Sequence, residues 1–324
     1  MNTLIITRSK ESVMRKSKES SGALQPVATA YLAPRFMVLL LAGVIGMFTL
    51  AGNARSDESV IRFGMVTDVH YADATARGGR HYKQSLPKMI EFIDAMNREE
   101  VAFVIQLGDL VDGVSGYDGI RNDLQKIVAE YNRFNGPRYH ALGNHCLDRL
   151  TKTDLRDLLG TPLHEDGGSY YSFVQNDILF LVLDACFRSD GTPYAKGNFK
   201  WTDAYIPKTQ LAWIESTLAA HHGRALVFLH HELRSDDHHN VSNADQVRKI
   251  LQKSGKVAAV FSGHNHAGGH QTIDGILYYT LRGLVQGNDS AYATVDIKAD
   301  GTIRIAGTGR AESVKVDIKS ARSP

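Results

Sequence analysis

Six short segments hold most of the side chains in this sequence that could do chemistry. They are Asp68-Val69-His70, Gly108-Asp109-Leu110-Val111-Asp112, Gly143-Asn144-His145-Cys146, His230-His231, Ser262-Gly263-His264 and Asn265-His266. Carboxylates, an amide oxygen and imidazoles are hard and borderline donors, a set that suits Mn, Fe or Zn without any cysteine ligand. They suffice for two divalent ions roughly 3–4 Å apart, an arrangement whose most frequent work is phosphoester hydrolysis.

Each segment alone has a plainer alternative. Asp68-x-His70 could be a surface pair, and Gly108-Asp109 a turn. Asn144-His145 after a buried strand lacks a simple packing role. Two imidazoles two residues apart, His264 and His266, rarely serve a core. His230-His231 reads as one ligand with one solvated neighbour. What unites the segments is position: each begins where an apolar strand ends, and open α/β sheets bind ligands beyond the carboxyl ends of their strands. If the chain stays extended after the first strand, Asp68 and His70 project to the same side.

The elements that must position them follow from periodicity. Residues 61–67 read as a buried strand, and 101–107 are a continuous apolar run, the pattern of a strand covered on both faces. Residues 138–142, 225–229 and 257–261 are shorter runs of the same kind. Helical spacing marks 82–98 (Leu86, Met89, Ile90, Ile93, Met96), 124–134, 154–159, 210–220 and 244–253. Residues 170–174 and 178–183 flank Gln175-Asn176-Asp177 as a hairpin. From 269 to 306 the chain is strand and turn. Strand–helix alternation followed by a strand-rich part predicts an α/β fold of two packed mixed β-sheets flanked by helices.

Residues 1–35 are polar and basic; an apolar run over 36–51 and the small residues Gly52-Asn53-Ala54 follow. That is the order of a secretory signal. The run is short for a spanning helix, which needs about 20 apolar residues. Residues 1–55 therefore read as a signal peptide or a membrane anchor, with translation starting at Met1, Met14 or Met37. Either reading puts the domain outside the cytoplasm, periplasmic, secreted or anchored through 36–51. The domain itself reads as 56–310, with a polar, frayed tail over 311–324. The net charge of +2 misleads, because the first 55 residues hold seven Lys/Arg and two Asp/Glu. The remainder carries 30 basic and 33 acidic side chains, so no nucleic-acid partner is expected. Cys146 and Cys186 are too few for a disulfide framework. Export would permit one bridge between them; two unpaired small apolar residues is the other reading.

In order and spacing, the segments resemble the calcineurin-like metallophosphoesterase superfamily. Its pattern runs D-x-H, G-D-x-x-D, G-N-H-[DE], a lone His, then G-H-x-H, and the match spans 60–310. This chain departs at Cys146, where Asp or Glu is usual, and at Glu232, where Pro is frequent. Segments outside the ligand set resemble one branch, the manganese-dependent ADP-ribose/CDP-alcohol diphosphatases. They include Tyr71-Ala72-Asp73, Arg80, Tyr82, Ser85, Gln106-Leu107, Leu183-Asp184-Ala185, Gln210-Leu211-Ala212-Trp213 and Gly283-Leu284-Val285.

The resemblance implies a four-layer α/β/β/α sandwich and a cofactor of two divalent ions, manganese first, with iron or zinc as alternatives. Asp68, His70 and His266 would bind one ion; Asn144, His230 and His264 the other; Asp109 would bridge them. His145 would face the scissile phosphate, as general acid or as transition-state stabiliser, Asn144 would join it in holding the non-bridging oxygens, and Asp112 would orient a neighbouring imidazole. In many relatives the residue at position 146 orients that histidine, so the thiol of Cys146 leaves the support of His145 open. Tyr71, Arg80, Tyr82 and Trp201 are candidates for the substrate rim, or else pack. The long loop over 187–205 is expected above the pocket. The activity implied is hydrolysis of phosphodiester or pyrophosphate bonds in small nucleotide diphosphate compounds. A broad phosphomonoesterase or nucleotidase, and a catalytically silent module of the same fold, are the alternatives. Oligomeric state is not legible.

Overall fold

In the computed structural model, residues 59–234 and 237–317 are described. The signal or anchor read in residues 1–55 lies outside them. Among the described residues no helix is long and apolar enough to cross a membrane.

In chain order the strands are β1 (Ser59–Val66), β2 (Val104–Gln106), β3 (Arg138–His140), β4 (Tyr171–Gln175), β5 (Ile178–Val182), β6 (Ala225–Phe228), β7 (Val257–Ser262), β8 (Gly269–Ile273), β9 (Ile276–Thr280), β10 (Ala291–Lys298), β11 (Thr302–Gly309) and β12 (Val314–Asp317). The α-helices are α1 (Ser85–Arg98), α2 (Gly116–Tyr131), α3 (Lys152–Leu159), α4 (Lys208–Ala220) and α5 (Ala244–Ser254). One sheet has the order β12-β11-β10-β1-β2-β3 and the other β4-β5-β6-β7-β9-β8. Both are mixed: β1, β2 and β3 run parallel, as do β5, β6, β7 and β9, with antiparallel partners outside them.

Strand alternation decides the layering. In β5, Phe180 and Val182 enter the core between the sheets, while Leu179 and Leu181 enter the core beneath α4 and α5. In the other sheet, Phe63 and Ile105 face the inter-sheet core, while Val66 and Val104 meet Met89, Phe92, Met96 and Leu124 of α1 and α2. Four layers result: helices, sheet, sheet, helices.

The stretch read as a polar tail contains β12. Val314 faces the inter-sheet core while Lys315 and Asp317 point outward, an alternation too short to stand out from sequence. Helix α2 begins at Gly116, well before the residues whose spacing reveals it, because its first turns carry two glycines and a single buried apolar residue, Ile120.

The inter-sheet core centres on Phe63, which is fully buried. It stacks on Phe103 at 4.7 Å and meets Phe180, Phe228 and Phe261 edge-on at 6.0, 5.6 and 6.0 Å. Edge and offset contacts of this kind add to area burial. Phe63→Ala is predicted to lower unfolding free energy by about 3–5 kcal/mol in urea titration. A loss below about 1 kcal/mol would mean that these rings do not hold the sheets together.

Candidate metal centre

Parallel pairing brings three strand ends of one sheet to a common edge: Asp68 and His70 after β1, Asp109 and Asp112 after β2, Asn144 and His145 after β3. The second sheet delivers His230 after β6 and His264 and His266 after β7. The backbone does not stay extended there. Asp68, His70, Asp109 and His264 have φ of 48°, 43°, 53° and 66°, a left-handed region in which Asp and His are enriched among non-glycine residues. Pairing between the two segments nonetheless continues beyond the strands: His70 N–H donates to Asp109 O at 2.8 Å and Tyr71 N–H to Leu110 O at 2.9 Å. The motif glycines permit close approach. A Cβ on Gly143 would overlap the Asp109 carboxylate, and one on Gly263 the Thr67 hydroxyl and the Asp68 carboxylate.

The side chains converge as two clusters. Asp68 Oδ1 lies 3.2 Å from His266 Nε2 and 3.7 Å from His70 Nε2. Asp109 Oδ2 lies 3.1 Å from His230 Nε2, and these two with His264 present donor atoms within 4.8 Å of one another. The same Asp109 oxygen is 3.5 Å from His70 Nε2, so it stands between the clusters.

Each carboxylate divides its oxygens. Asp68 Oδ2 accepts from His264 N–H at 3.0 Å and Thr67 Oγ1–H at 2.8 Å. Asp109 Oδ1 accepts from His145 N–H at 2.8 Å. The imidazoles are held from behind. His230 Nδ1 lies 2.8 Å from Leu107 O, His70 Nδ1 3.1 Å from Asp112 Oδ2, and His266 Nδ1 2.9 Å from the Gln286 amide. Such outer contacts fix which nitrogen is free to ligate.

Asp68 Oδ1, Asn144 Oδ1, His230 Nε2 and His264 Nε2 are buried atoms without a hydrogen-bond partner. Buried polar atoms are normally paired. Other unpaired buried atoms occur elsewhere among the described residues, but these four gather at the two clusters, and the residues present fit a pair of divalent cations.

Electrostatics agree. Burial would raise the Asp68 and Asp109 carboxyls, but the facing imidazoles, His266 on Asp68 and His230 on Asp109, hold both well below the usual carboxylate range. Burial would lower His230, yet Asp109 raises it to about 9. Burial pushes His264 down, with His231 and His230 adding to it. Burial also opposes protonation of His145, but Asp109, Asp148 and Asp112 outweigh it and raise the imidazole.

A cavity of about 470 Å³ opens over the clusters, lined by Asp109, Asn144, His145, His264 and His266, with Arg80, Trp201, His239 and Asn265 among its outer residues. Of the four rim candidates, Arg80 and Trp201 are there. Tyr71 and Tyr82 are buried in apolar clusters instead. Trp201 brings the 187–205 loop to the pocket wall. His231 is fully buried beside His230 and His264, so it is not a solvated neighbour. Glu232, where the family pattern often has proline, is buried and paired with Arg234 at 2.9 Å. Cys146 and Cys186 are buried free thiols, with Cys146 pushed up to about 12 by burial. Asp148 and Gln286 were silent in sequence: neither stands in a motif, and only folding brings them to His145 and His266.

Residues 61–268 match the calcineurin-like phosphoesterase family. Two similar curated proteins are each named manganese-dependent ADP-ribose/CDP-alcohol diphosphatase. The rice protein (Oryza sativa subsp. japonica) is 28% identical over 76% of this chain and 91% of its own length. The Arabidopsis thaliana protein is 27% identical over 79% of this chain and 96% of its own. A solved dimetal phosphatase from Danio rerio has the same fold, with a TM-score of 0.72, 23% identity, and coverage of 81% of this chain and all of that one.

Two outcomes follow for metal binding. Asp109→Asn should lose at least ~100-fold in affinity for the second equivalent of manganese, beyond what outer-contact mutations cost; unchanged two-ion stoichiometry by plasma mass spectrometry would contradict this. The raised His230 must lose its proton to ligate, so manganese affinity should fall as pH drops below about 9. Calorimetry in buffers of different ionisation enthalpy should show proton release on binding.

Proposed function

The chain belongs to the calcineurin-like phosphoesterase family and is a metal-dependent phosphoric ester hydrolase; from that premise we propose that it cleaves the pyrophosphate or phosphodiester bond of nucleotide diphosphate compounds such as ADP-ribose and CDP-alcohols, with manganese as its metal. The observation that carries this reading is the complete ligand cluster under a cavity whose rim holds one arginine and one exposed indole. Similarity to proteins named as diphosphatases along most of both chains supports the substrate class.

In this reading Asp68, His70 and His266 would hold one cation, Asn144, His230 and His264 the other, and Asp109 would serve both. When bound, the two ions supply Lewis acidity toward phosphorus and lower the pKa of water. The chain's own residues do the rest. Asp112 holds His70 in register and accepts from Arg80 Nη1–H at 2.9 Å. That bond leaves other guanidinium N–H groups for the second phosphate, which planar, multiply donating arginine suits. The Trp201 face, 44% exposed, offers a base a stacking surface. His145, held through Nδ1, keeps Nε2 for the leaving oxygen. Water's oxygen bonds to phosphorus and gives up one proton to solvent, the bond to the leaving oxygen breaks, that oxygen takes the Nε2 proton, and His145 recovers a proton from solvent. A positioned acid of this kind contributes about 10²–10⁴-fold.

Export belongs to the same proposal, supported by the basic segment and apolar run ahead of residue 52; fractionation finding the full-length protein in the cytoplasm would remove it.

The deciding experiment is a substrate panel on manganese-loaded protein. ADP-ribose and CDP-choline should exceed AMP and CMP in kcat/KM by at least ~100-fold, a floor below the roughly 10⁴–10⁵-fold by which a site built to hydrogen-bond a group rejects a substrate lacking it. Preference for monophosphates would replace this reading with a phosphomonoesterase. No turnover of either class, with metals bound, would leave a silent module. Trp201→Ala should raise KM for the nucleotide substrates up to ~10-fold, the scale of one aromatic contact, with kcat little changed.

A further inference from the structure

The sequence leaves one gap in the machinery: position 146, where the family pattern has a carboxylate, is a thiol. Local geometry shows why a carboxylate there would not reach the histidine. His145–Leu147 is a turn of 3₁₀-helix, with Asp148 closing it. Such a helix has three residues per turn, so residues i and i+3 eclipse while i+1 points a third of a turn away. Cys146 accordingly lies in the apolar core with Leu142, Leu147 and Leu150. Asp148 falls on the face of His145, with Oδ2 2.8 Å from His145 Nδ1. We infer that Asp148 is the positioning residue for His145, the carboxylate that fixes its ring and tautomer so that Nε2 faces the scissile bond.

Two observations support this assignment independently of that distance. The chain makes room for Asp148: a Cβ on Gly113 would come within 2.7 Å of Asp148 Cβ, and Gly113 is not among the glycines of positive φ. Close approach, not backbone conformation, therefore favours glycine there. The turn is also clamped from the other side. Gly197 N–H donates to Leu147 O and Lys196 N–H to Leu150 O, both at 3.0 Å, so the rim loop that carries Trp201 braces the segment that carries Asp148. Asp112 is the other carboxylate within reach, but its Oδ2 lies 3.8 Å from His145 Nδ1 and is already engaged by His70 and Arg80.

The inference rests on the proposed role of His145 as proton donor to the leaving oxygen. Its test avoids nucleotides, so that it stands apart from the substrate proposal. Methyl p-nitrophenyl phosphate and methyl phenyl phosphate differ in how much the leaving oxygen needs a proton. For manganese-loaded Asp148→Ala and Asp148→Asn, kcat on the phenyl ester should fall ~100-fold, the low end of what a positioned acid contributes. On the nitrophenyl ester it should fall less than ~5-fold, because little acid help is needed there. KM and the two-metal content should be unchanged, and Asp148→Glu should recover part of the phenyl-ester rate. Gly113→Ala, which displaces Asp148 without removing it, should give the same leaving-group pattern at smaller size. Equal losses on both esters, wild-type kcat on the phenyl ester, loss of metal with activity, or Asp148→Glu no better than Asp148→Ala would each overturn the assignment. Wild-type protein inactive on both esters would overturn the proton-donor role and this inference with it, whereas aryl-ester activity without nucleotide hydrolysis would sink only the substrate proposal.

Discussion

The constraint on which this structure turns is the burial of two carboxylates, an amide and several imidazoles with their lone pairs aimed at common points. Burying unpaired charge is costly. The protein meets part of that cost itself. One oxygen of Asp68 and one of Asp109 are tied to backbone N–H groups, and His70 and His230 are anchored through Nδ1. The opposite atoms are left bare: Asp68 Oδ1, Asn144 Oδ1, His230 Nε2 and His264 Nε2. At Asp68 and His230 one side of the group is satisfied and the other stripped, the arrangement of a site organised around cations.

Everything outward from the cluster serves that arrangement. Two sheets locked by interleaved phenylalanines present the ends of five parallel strands together, and short left-handed turns at Asp68, His70, Asp109 and His264 swing the side chains inward. Glycines at 143 and 263 let neighbouring segments approach where any side chain would collide. Next outward come Asp112, Gln286 and Asp148 behind three of the imidazoles, then Arg80 and Trp201 at the cavity rim. The loop through residue 201 is tied to the segment that carries His145 by backbone hydrogen bonds, so the cavity wall and that turn are joined.

Sequence carried the inner parts of this picture and lost the outer ones, for physical reasons. Buried parallel strands leave continuous apolar runs, so 61–67, 101–107 and 257–261 announce themselves, and the ligands fall just after them. Ligand atoms need particular residue types, which is why Asp68, Asp109 and the Gly-His-x-His segment stood out. Supporting residues need only reach, and many types can do that. Asp148 and Gln286 sit in ordinary polar stretches, and their partners are set by a 3₁₀ turn and a strand exit that no periodicity encodes. The same lack of pattern hid β12, a four-residue strand with one buried valine. Tyr71 and Tyr82 show the reverse error: aromatic residues beside a motif can as easily pack as bind, and here they pack. Cys146 follows His145 in the chain but turns into the apolar core, while the carboxylate beside that imidazole in space is Asp148.

The most direct test of the account is electron paramagnetic resonance of the wild-type protein titrated with manganese. Two ions sharing Asp109 within about 4 Å must couple magnetically. The account predicts that the isolated six-line spectrum gives way, at two equivalents, to the broad multiline pattern of a coupled pair. Saturation at one equivalent, or two equivalents that remain magnetically independent, would contradict it.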